Sequence, residues 1–317
     1  ARTAASRGAR ILTRCRALEL AGDGARVRDE LTGSTFAIRA RTVVNATGVW
    51  AAQLDPDIRM RPSRGTHLVL RPETLPGLRA GLHVPIPGES NRFALVLPQS
   101  DGRVYVGLTD EPLEGPVPDV PQAPEEDVAF LLDVLNSVLD VPLGRRDVAG
   151  TYAGLRPLLA AGGRTADLSR EHALLTSGSG VVTVVGGKLT TYRRMAEDAV
   201  DRVVALGRLG AGGSRTARLP LVGAGAGAGA VQEAGAVQDR LRARYGSEAG
   251  AVRALMAEDP ALAEPLPTGI TRAELVWAVR HEGALDVDDL LDRRTRIGLV
   301  PEDRVAALPA ARAALAY

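Results

Sequence analysis

The feature that most constrains this chain is a β-branched run that breaks at two glycines and then turns amphipathic, Val181-Val-Thr-Val-Val-Gly-Gly-Lys-Leu-Thr-Thr-Tyr192. Valine-rich stretches of this length suit a buried strand, because branched side chains pack well on a pleated surface. Gly186 and Gly187 end the strand, and with no Cβ they let a flat ligand approach the backbone closely. From about Leu189 to Val204, the apolar positions Leu189, Tyr192, Met195, Ala196, Ala199, Val200 and Val203 recur at helical spacing. The amide donors opening that helix, and the Lys188 ammonium, would favour a ligand with an anionic edge. A tight turn carrying a surface lysine fits the same pattern, so spacing alone leaves both readings open.

Around this unit the chain divides in two. Residues 1–220 mix strand and helix signals, 221–232 are a Gly/Ala linker, and 233–317 are helical. Short strands are expected at 9–13, 16–20, 25–29, 35–39 and 42–45, punctuated by Gly22-Asp-Gly24 and Thr32-Gly33. Further strands near 67–71, 93–98 and 104–108 would build a second, antiparallel sheet. Pro124-Glu-Glu-Asp127 opens a helix whose Val128, Leu131, Leu132, Leu135, Val138 and Leu139 form an apolar face. Later, Thr271 and Glu274 make a capping box before Leu275. A run at Leu219-Pro-Leu-Val-Gly-Ala-Gly-Ala-Gly imitates a dinucleotide-binding turn. Pro220 weakens the strand and no ribose-binding acid follows, so a linker is the better reading.

Composition excludes several function classes. A net charge of +1 gives no electrostatic case for nucleic acid. The single Cys15 rules out an internal disulfide framework and suggests a reducing compartment. No run of about 18 apolar residues would make a spanning helix. The four histidines and one cysteine show no zinc spacing, so no metal is expected.

Four further motifs narrow the choice: Pro62-Ser-Arg-Gly-Thr-His-Leu-Val-Leu70, Gly150-Thr-Tyr-Ala-Gly-Leu-Arg-Pro157, Val43-Val-Asn-Ala-Thr-Gly-Val-Trp50 and Gly107-Leu-Thr-Asp110. With the diglycine turn and the segment from Arg280 to Gly298, they resemble FAD-dependent glycerol-3-phosphate dehydrogenases, in the same order from about residue 10 to 300. The resemblance implies an α+β chain: a partial FAD-dependent oxidoreductase domain of the D-amino-acid-oxidase-like kind with an antiparallel substrate-domain sheet, then an all-helical C-terminal domain. Members of that family open with a Gly-x-Gly-x-x-Gly turn holding the FAD pyrophosphate. This sequence has none, so it reads as a C-terminal fragment expected to bind FAD poorly, and to be inactive, by itself.

The resemblance also implies a chemistry: hydride leaves C2 of sn-glycerol 3-phosphate for FAD, giving dihydroxyacetone phosphate, and the electrons pass to a quinone or another acceptor. An oxidase using oxygen, a related 2-hydroxyacid or amino-acid oxidase, and a noncatalytic binding module are the alternatives. Arg156, then Arg64, are the phosphate-holding candidates, since a guanidinium forks onto phosphate oxygens. His67 is the candidate base because histidine titrates near working pH, with Lys188 left as the other choice. Tyr152 and Thr109 are candidate hydrogen-bond donors near the substrate. Asn45, Thr47, Gly48 and Trp50 would lie beneath FAD, and Gly186, Gly187, Lys188, Leu189 and Thr190 would meet the flavin's pyrimidine edge. A cytoplasmic location, peripheral contact with the cytoplasmic membrane through the last helices near Arg304 and Arg312, and a homodimer complete the expectations.

Overall fold

A computed structural model describes residues 1–160, 171–224 and 236–317. The expected linker at 221–232 falls largely outside the described residues. A short helix α1 (Arg2–Ala5) precedes an antiparallel meander of β1 (Cys15–Ala21), β2 (Gly24–Asp29) and β3 (Thr35–Arg39). Gly22 sits in the first turn because a Cβ there would lie 2.0 Å from the Ser179 carbonyl oxygen. Residues 9–13, expected as a strand, form none: they are exposed and pair with nothing in the sheet. Local β-propensity does not hold a strand that lacks a partner.

β4 (Val44–Asn45) leads through a turn into α2 (Ala51–Leu54). The largest sheet runs β10-β5-β8-β7-β6, built from β5 (Ser63–Leu70), β6 (Leu82–Pro85), β7 (Phe93–Pro98), β8 (Val104–Gly107) and β10 (Val148–Arg156), with β9 (Glu111–Pro112) also on β5. All its pairings are antiparallel. Helix α3 (Glu125–Asn136) covers one face, packing Val128, Leu131, Leu132 and Leu135 against Leu68, Leu70, Val96 and Val106. Each fully buried leucine there contributes about 1.5–3 kcal/mol. The helix stops at Asn136, so Val138, expected on its apolar face, is 53% exposed.

The third sheet, in the order β11-β12-β4, joins β11 (His172–Thr176) antiparallel and β4 parallel to β12 (Val182–Gly186). The chain then makes a single 3-10 turn at Leu189–Thr191 before α4 (Tyr192–Leu206) begins. Thus the helix starts three residues later than its apolar spacing predicts. Leu189, the first of those apolar positions, is 87% exposed.

The C-terminal part is helical as expected: α5 (Ala236–Tyr245), α6 (Ala249–Glu258), α7 (Arg272–Glu282), a π-type segment at Asp289–Arg294 and α8 (Pro301–Ala314). Leu241, Val252, Leu275, Leu290, Leu291, Ile297 and Ala311 form its core. At the start of α7 the Glu274 carboxylate accepts from the Thr271 backbone N–H at 2.8 Å, as the capping box requires. Glu274 is also fully buried under the Arg240 guanidinium, a tertiary partner that sequence spacing does not reveal. Among the described residues, no helix is long and apolar enough to cross a membrane.

Candidate active site

Strand alternation sorts the motif around His67 onto two faces. Arg64, Thr66, Leu68 and Leu70 point toward α3, while Ser63, Gly65, His67 and Val69 point to the other side. On that second face His67 sits in register between Gly107 of β8 and Tyr152 of β10. Its ring lies over Gly107, where a Cβ would come within 2.3 Å of the imidazole, and stacks on Tyr152 with centroids 4.6 Å apart and planes 3° from parallel. Tyr105 packs edge-on against Tyr152 at 5.6 Å.

Burial, and then the Arg156 charge, push His67 from 6.5 down to about 4. Both disfavour the imidazolium, so at neutral pH the ring is an uncharged proton acceptor. Its Nδ1 is buried without a partner among the described residues. Burial, followed by Tyr105, pushes the Tyr152 phenol up to about 12, keeping its hydroxyl protonated.

Arg156 shares this face. Its Nη1 donates to Ser63 Oγ at 3.0 Å and to Asp110 Oδ1 at 3.1 Å, and its Nη2 donates to the Thr109 carbonyl at 3.0 Å. Gly65 makes room for the guanidinium, since a Cβ there would lie 2.7 Å from Nη2. The side chain remains 21% exposed. Sequence reasoning missed the roles of Ser63, Gly65 and Asp110. Counting alternate residues back from His67 along β5 would have found the first two.

Arg64 goes elsewhere. Its Nε and Nη2 fork onto the two oxygens of Asp127 on α3 at 3.0 and 3.2 Å. The Thr66 hydroxyl donates to the same carboxylate at 2.5 Å, and the Thr109 hydroxyl donates at 3.1 Å. Burial alone would raise the Asp127 carboxyl. The Arg64 guanidinium and the two hydroxyls overcome it and hold the group below the usual carboxylate range. The structure therefore sends Arg64 and the Thr109 hydroxyl to the opposite face, while the Thr109 carbonyl stays with Arg156.

The expected cofactor residues occupy two places. Thr47, Gly48 and Trp50 line a cleft of about 700 Å³ with Pro121 and, at the end of β10, Ala153, Gly154, Leu155 and Pro157. Asn45 is buried beneath this turn and staples it. Its Nδ2 donates to the Ala51 carbonyl at 3.3 Å, and its Oδ1 accepts from the Thr47 hydroxyl at 2.7 Å. Gly48, at φ 61°, and Gly154 both face open space, and the buried Trp50 indole N–H has no partner among the described residues. An open, glycine-floored cleft with an orphan donor fits a planar ligand that carries polar edges.

The diglycine turn is the second place. Gly186 and Gly187 adopt φ 74° and 76°, conformations that favour glycine. A Cβ at Gly186 would lie 2.6 Å from the Glu171 carbonyl, and one at Gly187 would lie 2.4 Å from Met195 Sδ. The two glycines thus answer first to the chain's own packing, in keeping with the tight-turn reading that spacing leaves open. Lys188, Leu189 and Thr190 follow, all exposed, with the Lys188 amide donating to the Thr191 hydroxyl at 3.2 Å.

A family model for FAD dependent oxidoreductases matches residues 1–193, and a model for the C-terminal domain of alpha-glycerophosphate oxidase matches residues 214–316. Glycerol-3-phosphate dehydrogenase 1 of Mycobacterium tuberculosis is 53% identical over 313 residues, covering 96% of this chain and 60% of that protein. Glycerol-3-phosphate dehydrogenase of Mycobacterium leprae is 36% identical over 323 residues, covering 94% and 54%. The crystal structure of the glycerol-3-phosphate dehydrogenase from Bacillus halodurans, complexed with FAD, matches with a TM-score of 0.81 at 28% identity, covering 99% of this chain and 67% of that one. The chain spans 60% or less of the length of these curated relatives.

Proposed function

The chain belongs to the FAD-dependent oxidoreductase family, and from that premise we propose that it carries the substrate face of a dehydrogenase oxidising sn-glycerol 3-phosphate to dihydroxyacetone phosphate. The observation that carries the reading is one sheet face bearing His67, Tyr152 and Arg156 beside the cleft of Thr47, Gly48 and Trp50. The 53% identical dehydrogenase supports the choice of substrate. When bound, FAD would supply the hydride acceptor, with a quinone or another acceptor as the final destination of the electrons.

The chain's own residues do the rest. Thr47, Gly48 and Trp50, with the exposed Lys188, Leu189 and Thr190, would hold the cofactor. Arg156 would offer its guanidinium to the substrate phosphate, while Ser63, Asp110 and the Thr109 carbonyl fix its plane. A fork locked in place loses little entropy on binding a dianion. His67, uncharged at neutral pH, receives the proton of the C2 hydroxyl as the hydride departs. Flat stacking on Tyr152 and contact with Gly107 fix the imidazole's orientation.

The test is anaerobic. The complete, FAD-loaded gene product should lose its visible flavin absorbance on addition of glycerol 3-phosphate, and a 2-hydroxyacid should leave it unbleached. Bleaching by the carboxylate and not the phosphate would overturn the substrate assignment. In air, turnover with a quinone analogue and little peroxide is expected; stoichiometric peroxide would replace the dehydrogenase reading with an oxidase.

A further inference from the structure

The helical C-terminal domain reaches the candidate base through a short series of contacts. Arg103, 2% exposed at the start of β8, donates from Nη1 to the Arg296 carbonyl at 2.7 Å and from Nη2 to Asp303 Oδ2 at 2.5 Å. Arg71, at the end of β5, reaches the other Asp303 oxygen at 2.9 Å. The lock presses residues 297–300 onto the sheet so closely that a Cβ on Gly150 would lie 1.9 Å from the Leu299 carbonyl oxygen. Val300 is fully buried with Val69 and Tyr105, and Leu299 and Tyr152 pack against them. Tyr152 in turn lies flat on His67.

We propose that the C-terminal domain is a working part of the active site: the Arg103–Asp303 lock, acting through Leu299, Val300 and Tyr105, holds Tyr152 against His67, and Asp303 and Tyr152 are positioning residues for that base. The proposal rests on the reading of His67 as proton acceptor. A π-stacked neighbour and a tight wall define the ring's angle, and misplacement of a catalytic group by about 1 Å costs up to about a hundredfold in rate. The charged and titratable groups facing the imidazole are Arg156 and Tyr152 from β10 and Tyr105 from β8. Arg296 of the helical domain acts on the two tyrosines.

The experiment uses the complete, FAD-loaded gene product with Asp303→Asn, Tyr152→Leu, Tyr152→Phe and, as control, Glu264→Gln. Glu264 is exposed and pairs with Arg272 in the same domain. Two measurements are made: steady-state kinetics, giving kcat and KM for glycerol 3-phosphate, and the titration midpoint of the His67 imidazole by NMR, which needs no turnover. Asp303→Asn and Tyr152→Leu should lower kcat about tenfold while KM moves less than about twofold. In both, the His67 midpoint should climb from about 4 toward 6.5 as the ring loosens into solvent. Tyr152→Phe keeps the stacked ring and should retain the wild-type midpoint, and Glu264→Gln should match wild type in both measurements.

Wild-type kcat and midpoint in Asp303→Asn and Tyr152→Leu would overturn the proposal. Should Asp303→Asn fail to fold, Leu299→Ala, which trims the helical domain's own contact in the Tyr152 cluster, takes its place: the proposal stands if it shifts the midpoint in the same direction as Tyr152→Leu and falls if the midpoint stays at the wild-type value. A wild-type enzyme inert toward glycerol 3-phosphate would sink the functional reading instead, and the NMR midpoints would still decide whether the domain positions His67.

Discussion

The two faces of the large sheet carry similar residues to opposite ends. Toward α3, Arg64, Thr66, Thr109 and Asp127 satisfy one another, with every oxygen of the carboxylate engaged. On the other face, His67 Nδ1 and Tyr105 Oη are buried with no partner among the described residues, and the Trp50 N–H in the neighbouring cleft shares that condition. An orphaned buried polar group costs about 1–3 kcal/mol, so evolution tolerates one mainly where something else completes the bond. The two motif arginines separate by the face they take: Arg64 is tied to the carboxylate on α3, whereas Arg156 stands on the face of His67, the side on which these orphaned groups lie.

Breaking each network should therefore break a different property. Asp127→Ala strips the carboxylate from a buried ion pair and leaves the Arg64 cation and two hydroxyls unpaired; it should cost about 3–5 kcal/mol in urea unfolding. The specific activity of the surviving folded enzyme should stay within about twofold of wild type. Arg156→Ala should do the reverse, lowering kcat/KM for glycerol 3-phosphate about a hundredfold, mostly through KM. Its unfolding midpoint should shift less than that of Asp127→Ala. If the stability losses came out the other way round, the division between the faces would collapse.

A smaller effect sharpens the comparison within the open face. Gly107→Ala places a methyl 2.3 Å from the His67 ring and must push it off Tyr152. We expect kcat to fall about tenfold with KM nearly constant, since Arg156, the residue proposed to hold the phosphate, is untouched. Gly154→Ala, on the same face but with open space before it, is the matched control and should leave stability unchanged in thermal unfolding.

What was legible in the sequence follows from how local each signal is. The strand at 182–186, the helix at 125–136 and the Thr271–Glu274 cap announce themselves through periodicity or fixed spacing, and all three are present. Asp127 was read as a helix-opening acid because helix N-termini attract carboxylates in any case. Its partner Arg64 lies 63 residues away, and no local pattern encodes that pairing. Gly65 and Gly107 were hidden for a similar reason: each is small to accommodate a side chain from another strand. The diglycine turn stays ambiguous in a subtler way. Positive φ and crowding by Met195 explain both glycines without a ligand, so their presence alone never discriminated between a cofactor turn and a packing turn.

The smallest effect concerns pH. His67 titrates at about 4 in the folded chain against 6.5 when unperturbed, so the folded state binds its proton less readily than the unfolded state does. A depressed midpoint means that stability is fully present above pH 6.5 and is lost as pH falls from 6.5 through about 4. Because the ring is only partly buried, solvent screening should reduce the loss to about 1 kcal/mol. His67→Gln, which cannot titrate, should flatten that part of the curve, measured as the difference in urea midpoint between pH 7 and pH 4 relative to wild type. On the closed face, Arg64→Gln should leave the His67 contribution in place, because the sheet lies between them. An equal flattening by both variants would mean that the two faces share one electrostatic environment, and the sheet would no longer separate an architectural side from a chemical one.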